Sequence, residues 1–217
     1  MPDFAARRTM MVDTQVRPSD VTKFPIIEAM LTVPRELFVP DGQREAAYMG
    51  ENMGLGDGIM LLEPRTLAKM LDALDIQRDD LILDIGSGLG YSAAVISKMA
   101  EAVVAVEPDS ERATEAQGLL SEIGADNVIM HVGSLDAGAA EHGPYDVITV
   151  QGGVETVPST LIDQLKEGGR IACLFMDGSL GAMRIGYKID GQINWRFSFN
   201  AGASVLAGFE KSAAFAF

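Results

Sequence analysis

The chain has 217 residues, which suits one domain with a sizeable core and leaves little room for two. Its 31 acidic and 17 basic residues give a net charge of −14 without a Lys/Arg-rich cluster, which argues against binding to a nucleic-acid backbone. The single cysteine, Cys173, excludes an intramolecular disulfide, and the lack of an apolar run of about 18 residues predicts a soluble, cytoplasmic protein with no membrane partner.

Residues 1–40 are expected to be helical and separate from the main sheet. Apolar residues over 4–16 are spaced loosely as on a helix, and the pair Arg17 and Pro18 interrupts the pattern. A second apolar face at helical spacing follows over 26–31. Its expected role is packing against the main body of the domain.

Residues 41–64 form a glycine-rich stretch with few periodic apolar residues, which we expect to be irregular. Long connections of this kind are often lids or binding loops, although some are plain surface loops. An amphipathic helix is predicted to begin at Pro64, because proline is favoured at the first helical position. The apolar side of that helix consists of Leu67, Met70, Leu71 and Leu74.

A buried strand over 81–85 runs directly into a glycine turn. Bulky apolar residues of the strand predict cover on both faces, and Gly86, Gly88 and Gly90 follow at once. Glycine tolerates unusual backbone angles and leaves room for a ligand, while the next helix points free N–H groups toward the turn. The pattern predicts a ligand site, and the alternative is a tight strand-to-helix turn without a ligand.

Strands and helices then alternate, which predicts a mainly parallel α/β sheet with helices on both faces. The expected strands are 81–85, 102–107, 127–132, 145–150 and 169–176, and the expected helices are 91–100, 109–123 and 158–166. Ligands of such sheets bind beyond the carboxyl ends of the strands. That rim should hold Glu107, residues 134–136 and residues 151–153.

The C-terminal part of the chain has a different pattern. Apolar and polar residues alternate over 183–199, which predicts an antiparallel hairpin with its turn at Asp190 and Gly191.

The spacing of the glycines indicates which class of ligand the turn would bind. A dinucleotide fingerprint reads G-x-G-x-x-G, whereas this turn reads G-x-G-x-G after an acidic residue, Asp84. That pattern resembles the first motif of class I S-adenosylmethionine-dependent methyltransferases, so a dinucleotide enzyme is disfavoured. Glu107 lies at the end of the next strand, where a carboxylate can accept hydrogen bonds from both ribose hydroxyls.

Three segments together resemble the protein-L-isoaspartate O-methyltransferase family in order and spacing. They are residues 33–40, which are bracketed by prolines, residues 84–95 and residues 165–171. The resemblance covers about residues 5 to 210 and implies a Rossmann-like class I methyltransferase fold. It divides the single domain 1–217 into an N-terminal helical cap with the glycine-rich loop (1–75), a cofactor-binding core (76–180) and the C-terminal hairpin (181–217).

The resemblance also implies roles for residues around S-adenosyl-L-methionine. Asp84, Gly86, Ser87 and Gly88 would contact the methionine end, Glu107 would contact the ribose, and Pro108 belongs to the expected cofactor set. The family usually has Gly-Asp-Gly after the third strand, where the acidic residue binds the adenine amine. This chain has Gly133, Ser134, Leu135 and Asp136 at that place. Three alternatives follow: Ser134 accepts the hydrogen bond from the adenine amine, Asp136 reaches back to accept it, or the loop is a plain turn without this role. Leu135 and Gln151 complete the expected cofactor set.

The chain departs from the family in its acceptor segment, which we define as Ile59, Met60, Leu61, Leu62 and Glu63. The family pattern Gly-x-Gly-Gln-Thr-Ile-Ser-x-Pro places hydroxyls beside the isoaspartyl carboxylate. Counting back from Pro64, the threonine position is Met60 and the serine position is Leu62. An apolar wall would cost a buried carboxylate several kcal/mol. Either backbone N–H groups of this loop hold the carboxylate, or the methyl acceptor is not isoaspartate. No catalytic residue is assigned from the sequence.

Three interpretations therefore remain open at this stage. The protein methylates an isoaspartyl residue of a peptide or protein, methylates a less polar small molecule, or binds the cofactor without catalysis and acts through a partner. No metal site is expected, since His131 and His142 have no partner pattern in the sequence. The oligomeric state is left open.

Overall fold

The structure is a computed structural model that describes residues 3–211. Its helices are α1 (Phe4–Met11), α2 (Phe24–Thr32), α3 (Pro64–Leu74), α4 (Tyr91–Ser97), α5 (Ser110–Glu122) and α6 (Ser159–Asp163). Its strands are β1 (Met53–Gly56), β2 (Ile59–Leu61), β3 (Leu81–Ile85), β4 (Ala102–Glu107), β5 (Val128–Val132), β6 (Tyr145–Val154), β7 (Leu165–Asp177), β8 (Leu180–Ile189) and β9 (Gln192–Ala201).

Seven of the strands form one sheet in the order β5-β4-β3-β6-β7-β8-β9. The first five of these run parallel, and β8 and β9 are antiparallel to their neighbours. Ile82 enters one apolar cluster, whereas Leu83 and Ile85 enter a second one on the opposite face. Both faces of the sheet are therefore covered, which explains why every residue of β3 except Asp84 is apolar. The predicted parallel α/β architecture is confirmed.

The N-terminal segment is helical, as expected. After α1 the chain continues as a π-helical turn (Val12–Val16) and a 3-10 turn (Arg17–Ser19), and then enters α2. Residues Arg35–Phe38 form another 3-10 turn, from which the fully buried Arg35 donates to the carbonyl oxygens of Ala47 (2.6 Å) and Leu62 (2.8 Å). The proline-bracketed segment thereby holds both ends of the glycine-rich stretch.

The expectation that residues 41–64 are irregular is wrong. They contain a 3-10 helix (Asp41–Ala46) and the antiparallel pair β1–β2, which we call the cover hairpin. Asp57 and Gly58 make its turn, with φ of 51° and 78°. The hairpin forms because this turn chemistry joins two short segments of which β2 is buried along its whole length.

Several other boundaries also differ from expectation. Helix α4 ends at Ser97 rather than residue 100, and α6 is confined to Ser159–Asp163. Strand β6 continues to Val154, and β7 begins at Leu165 because the stretch before Arg170 pairs irregularly with β6. Gly168 and Gly169 lie inside this irregular part of the strand.

The C-terminal hairpin is confirmed and extends the main sheet. Strands β8 and β9 meet at Asp190 and Gly191, both at positive φ, as a two-residue hairpin turn requires. Its predicted segment runs to residue 217, and residues 212–217 lie outside the described part of the chain. Cys173 is fully buried in β7, as expected for a small core residue. Over residues 3–211 no helix has the length and apolarity needed to span a membrane.

Candidate active site

Asp84, near the end of β3, is the best-connected side chain of the site. It is fully buried, and its carboxylate accepts hydrogen bonds from Ser92 Oγ (2.5 Å), Thr149 Oγ1 (2.7 Å) and Gln151 Nε2 (2.6 Å). Burial raises the pKa of Asp84, and the three donors oppose that rise. The carboxylate therefore joins β3, α4 and β6 just below the glycine turn.

The glycine turn, residues 86–90, follows directly. Gly86, Gly88 and Gly90 have φ of 77°, 58° and 96°, angles that side chains bearing a Cβ rarely adopt. Gly86 N donates to the Val106 carbonyl at 3.0 Å, which fixes the turn against β4. The buried hydroxyl of Ser87 has no hydrogen-bond partner among residues 3–211. The turn is thus rigidly placed and contains one unsatisfied polar group.

Glu107 ends β4 beside this turn. One carboxylate oxygen, Oε1, accepts from the Asp109 backbone N–H (3.0 Å) and from Arg112 Nη1 (2.8 Å). The other oxygen, Oε2, is buried and has no partner in the described part of the chain. Burial raises the pKa of Glu107, while Asp109 and Arg112 lower it. The protein therefore holds Oε1 of the carboxylate, and Oε2 is available to accept a hydrogen bond from a ligand.

The cover hairpin lies directly on the glycine turn. A Cβ added to Gly88 would come 2.6 Å from Leu55 Cδ1 and 3.2 Å from Ile59 Cγ2. At the hairpin's tip, Asp57 pairs with Arg112 Nη2 at 2.8 Å. Arg112 therefore links the hairpin to Glu107. Sequence reasoning missed Arg112, because its position one turn into α5 carries no motif.

The loop after β5 approaches Glu107 through the backbone, since Gly133 N donates to the Glu107 carbonyl at 3.3 Å. Ser134 is exposed at its edge, and Leu135 is buried. The amide of Gln151 donates to Asp84. The structure thus brings the predicted cofactor residues to one rim, with Pro108 exposed beside Glu107.

The acceptor segment is apolar and closed in this structure. Met60 (8% exposed) and Leu62 (2%) pack into the main apolar cluster, and Leu61 is buried as well. Glu63 follows, and its backbone N–H donates to Asn52 Oδ1 at 2.8 Å. A groove of about 370 Å³ runs along the hairpin, lined in part by Asn52, Gly54, Gly56, Ile59, Met60 and Ser204.

The chain is similar to known proteins over most of its length. The family model described as protein-L-isoaspartate(D-aspartate) O-methyltransferase matches residues 7–192. A protein-L-isoaspartate O-methyltransferase of Syntrophus aciditrophicus is 37% identical over 171 residues, covering 79% of this chain and 78% of that protein. One from Opitutus terrae is 38% identical over 164 residues, covering 76% of this chain and 70% of that protein.

Solved structures show the same fold. A protein-L-isoaspartate O-methyltransferase structure superposes with a TM-score of 0.79 at 27% identity, covering 93% of this chain and 66% of that chain. A Plasmodium falciparum structure, described as a complex of such an enzyme with S-adenosyl-L-homocysteine, gives 0.78 at 18% identity, covering 95% and 99%. The chain therefore belongs to the protein-L-isoaspartate O-methyltransferase family of S-adenosylmethionine-dependent methyltransferase enzymes.

Proposed function

We propose that this protein transfers the methyl group of S-adenosyl-L-methionine to the carboxylate of an isoaspartyl residue in a peptide or protein. The observation that carries the proposal is the Glu107 carboxylate, which is buried beside the glycine turn with one oxygen unpartnered among residues 3–211. A buried acceptor without a partner costs about 1–3 kcal/mol, so a ligand hydroxyl at this place is strongly favoured.

The polar groups of the rim fit the cofactor. Glu107 Oε2 can accept from the ribose hydroxyls while Arg112 and Asp109 hold Oε1. The unpartnered Ser87 hydroxyl suits the charged methionine end. Asp84 already accepts three hydrogen bonds, so we assign it a positioning role in which it fixes the turn through Ser92 and β6.

Binding requires the cover hairpin to move, because Leu55 and Ile59 occupy the space above Gly88. The ion pair that holds its tip is weak, since the Asp57 side chain is 78% exposed and water screens it. Opening breaks this ion pair and the contacts of these two side chains with the glycine turn. Closing again over a bound cofactor would exclude water from the reacting groups.

The chemistry asks little of the protein beyond positioning. The cofactor, when bound, supplies an electrophilic methyl group on a sulfonium, and an isoaspartyl carboxylate is already ionised at neutral pH. No general base is needed, so the rate comes from aligning carboxylate and methyl group. In place of the family's hydroxyls, the backbone N–H groups of Gly54, Gly56 and Gly58 along the groove are the proposed donors to the carboxylate.

A direct test offers an isoaspartyl peptide, with the matching aspartyl peptide as control, together with methyl-labelled cofactor. We expect label to enter the isoaspartyl peptide alone. Calorimetric titration with S-adenosyl-L-homocysteine is run in parallel. Cofactor binding without transfer would overturn the proposed acceptor, whereas absence of binding would overturn the proposed cofactor site.

A second candidate is favoured by the buried, apolar Met60 and Leu62. Here the protein binds the cofactor but methylates a less polar small molecule, or acts without catalysis as a binding protein. Formation of S-adenosyl-L-homocysteine with a panel of apolar acceptors, but not with isoaspartyl peptide, would support the small-molecule acceptor. Binding of cofactor with no turnover on any acceptor would favour the non-catalytic role.

A further inference from the structure

Three metal-ligating side chains meet beside β5, the strand at one edge of the main sheet. His131 lies in β5, and Glu141 and His142 lie in the 3-10 turn Ala140–His142. His131 Nδ1 is 3.5 Å and His142 Nε2 is 3.4 Å from the same oxygen, Oε1 of Glu141. One ligand atom of each residue lies within 4.8 Å of the other two. Both histidines of the chain are in this cluster.

The separations suit a shared ion better than direct hydrogen bonds. Nitrogen and oxygen in an N–H···O bond lie about 2.7–3.2 Å apart, and both separations here are longer. In a tetrahedral zinc site with ligands about 2.0–2.1 Å from the ion, neighbouring ligand atoms lie about 3.3 Å apart. The two separations between a histidine nitrogen and Glu141 Oε1 are therefore already close to this value. The Glu141 side chain is 69% exposed, so it can move to bring all three ligand atoms to the distances that the ion requires.

The rings are arranged to converge rather than to stack. The two imidazoles meet edge to face, with an interplanar angle of 82° and centroids 5.7 Å apart. The His131 side chain is 23% exposed and the His142 side chain 35%, so both rings are partly covered by the protein. The exposed carboxylate leaves the solvent side open, where water can supply a fourth ligand.

The surrounding backbone holds these positions in place. A Cβ on residue 133 would come 2.9 Å from His131 Nε2, so Gly133 leaves room for the ring. On the other side, Ala139 N donates to Gln164 Oε1 (3.0 Å), and Tyr145 Oη donates to the Ala139 carbonyl (2.6 Å). The turn that carries Glu141 and His142 therefore starts from an anchored residue.

We propose that His131, Glu141 and His142 form a binding site for a divalent transition-metal ion of the zinc class. Two imidazoles and one carboxylate, with one position left for water, are a ligand set that Zn²⁺ accepts. The ion joins the end of β5 to the 3-10 turn and so closes the loop 132–140. That loop carries Ser134 and Leu135, but the metal site does not depend on methyl transfer.

The test uses the full, tag-free chain after treatment with a chelator, because an added histidine tag would bind the same ions. Zn²⁺ is titrated against a chromogenic zinc chelator, and we expect one ion per chain and a rise in Tm. His131→Ala, His142→Ala and Glu141→Gln should each weaken binding at least about tenfold. Glu122→Gln, which changes an exposed carboxylate outside the cluster, is the matched control and should bind normally.

Cobalt substitution tests the coordination itself. Co²⁺ bound to the wild-type chain should show the intense visible absorption of a four-coordinate site, and Glu141→Gln should lose it. Because Glu141 is exposed, this variant should keep the circular dichroism spectrum and thermal transition of the metal-free protein. Failure of the wild type to bind Zn²⁺ at sub-millimolar concentration, or equal binding by the three variants, would overturn the proposal.

Discussion

The glycine turn and the cover hairpin touch each other at Gly88, yet they are built in different ways. The turn is fixed by a buried polar network around Asp84 and by pairing with β4. The hairpin is a separate two-stranded sheet held by apolar contacts and an exposed ion pair at Asp57. We therefore expect changes in the hairpin to leave the polar network under the turn intact.

The largest expected effect comes from a substitution that removes the polar network under the glycine turn. Asp84→Leu leaves the donors of Ser92, Thr149 and Gln151 without their acceptor, so we expect the free energy of unfolding to fall by about 3–5 kcal/mol. Urea unfolding measures the loss. Asp126→Leu, at an exposed carboxylate, is the control and should change stability little. A small effect of Asp84→Leu would show that the network does not support the turn.

The contact between the two regions is tested at Gly88. Its φ of 58° disfavours a side chain, and a valine there would meet Leu55 and fill the proposed cofactor space. We expect Gly88→Val to weaken binding of S-adenosyl-L-homocysteine about 100-fold, or roughly 2.7 kcal/mol, in calorimetry.

Two controls separate the causes. Adding Leu55→Ala to Gly88→Val removes the clash with the hairpin but should not restore binding. Gly118→Ala, in the helix α5 with open space around it, should leave binding unchanged. Restoration of affinity by Leu55→Ala would mean that the hairpin alone controls access to the site.

The hairpin is tested separately with Met60→Thr, which returns one family hydroxyl beside the groove. A hydrogen bond to a charged group is worth about 1.5–3 kcal/mol, so methylation of an isoaspartyl peptide should rise about tenfold. Replacing buried methionine should also lower stability by about 1–2 kcal/mol. Met60→Leu conserves volume without a hydroxyl, and equal rates for the two variants would argue against a carboxylate at this position.

The smallest expected effect concerns the pH dependence of cofactor binding. The ionised carboxylate is the stronger acceptor, and burial raises the pKa of Glu107. Affinity for S-adenosyl-L-homocysteine should therefore fall several-fold as pH drops from neutral through that raised pKa. Glu107→Gln should bind several-fold more weakly at neutral pH with a flatter pH profile. The same pH profile in both proteins would exclude Glu107 as the titrating group.

Much of the fold could be predicted because its signals are local. The bounds of β3 and β4 follow from short apolar runs, and the C-terminal hairpin follows from alternation around Asp190 and Gly191. The cover hairpin was missed because its strands are short and glycines dominate the stretch. The early start of β7 was missed because its pairing with β6 is irregular before Arg170.

By itself, the sequence determined the sheet architecture and the glycine turn, since their signals lie in short runs of neighbouring residues. Only the tertiary structure decided that Leu55 covers Gly88 and that Arg112 holds one oxygen of Glu107. It alone also gathered His131, Glu141 and His142 around one oxygen. These contacts join separate elements, so their geometry depends on how the whole chain packs.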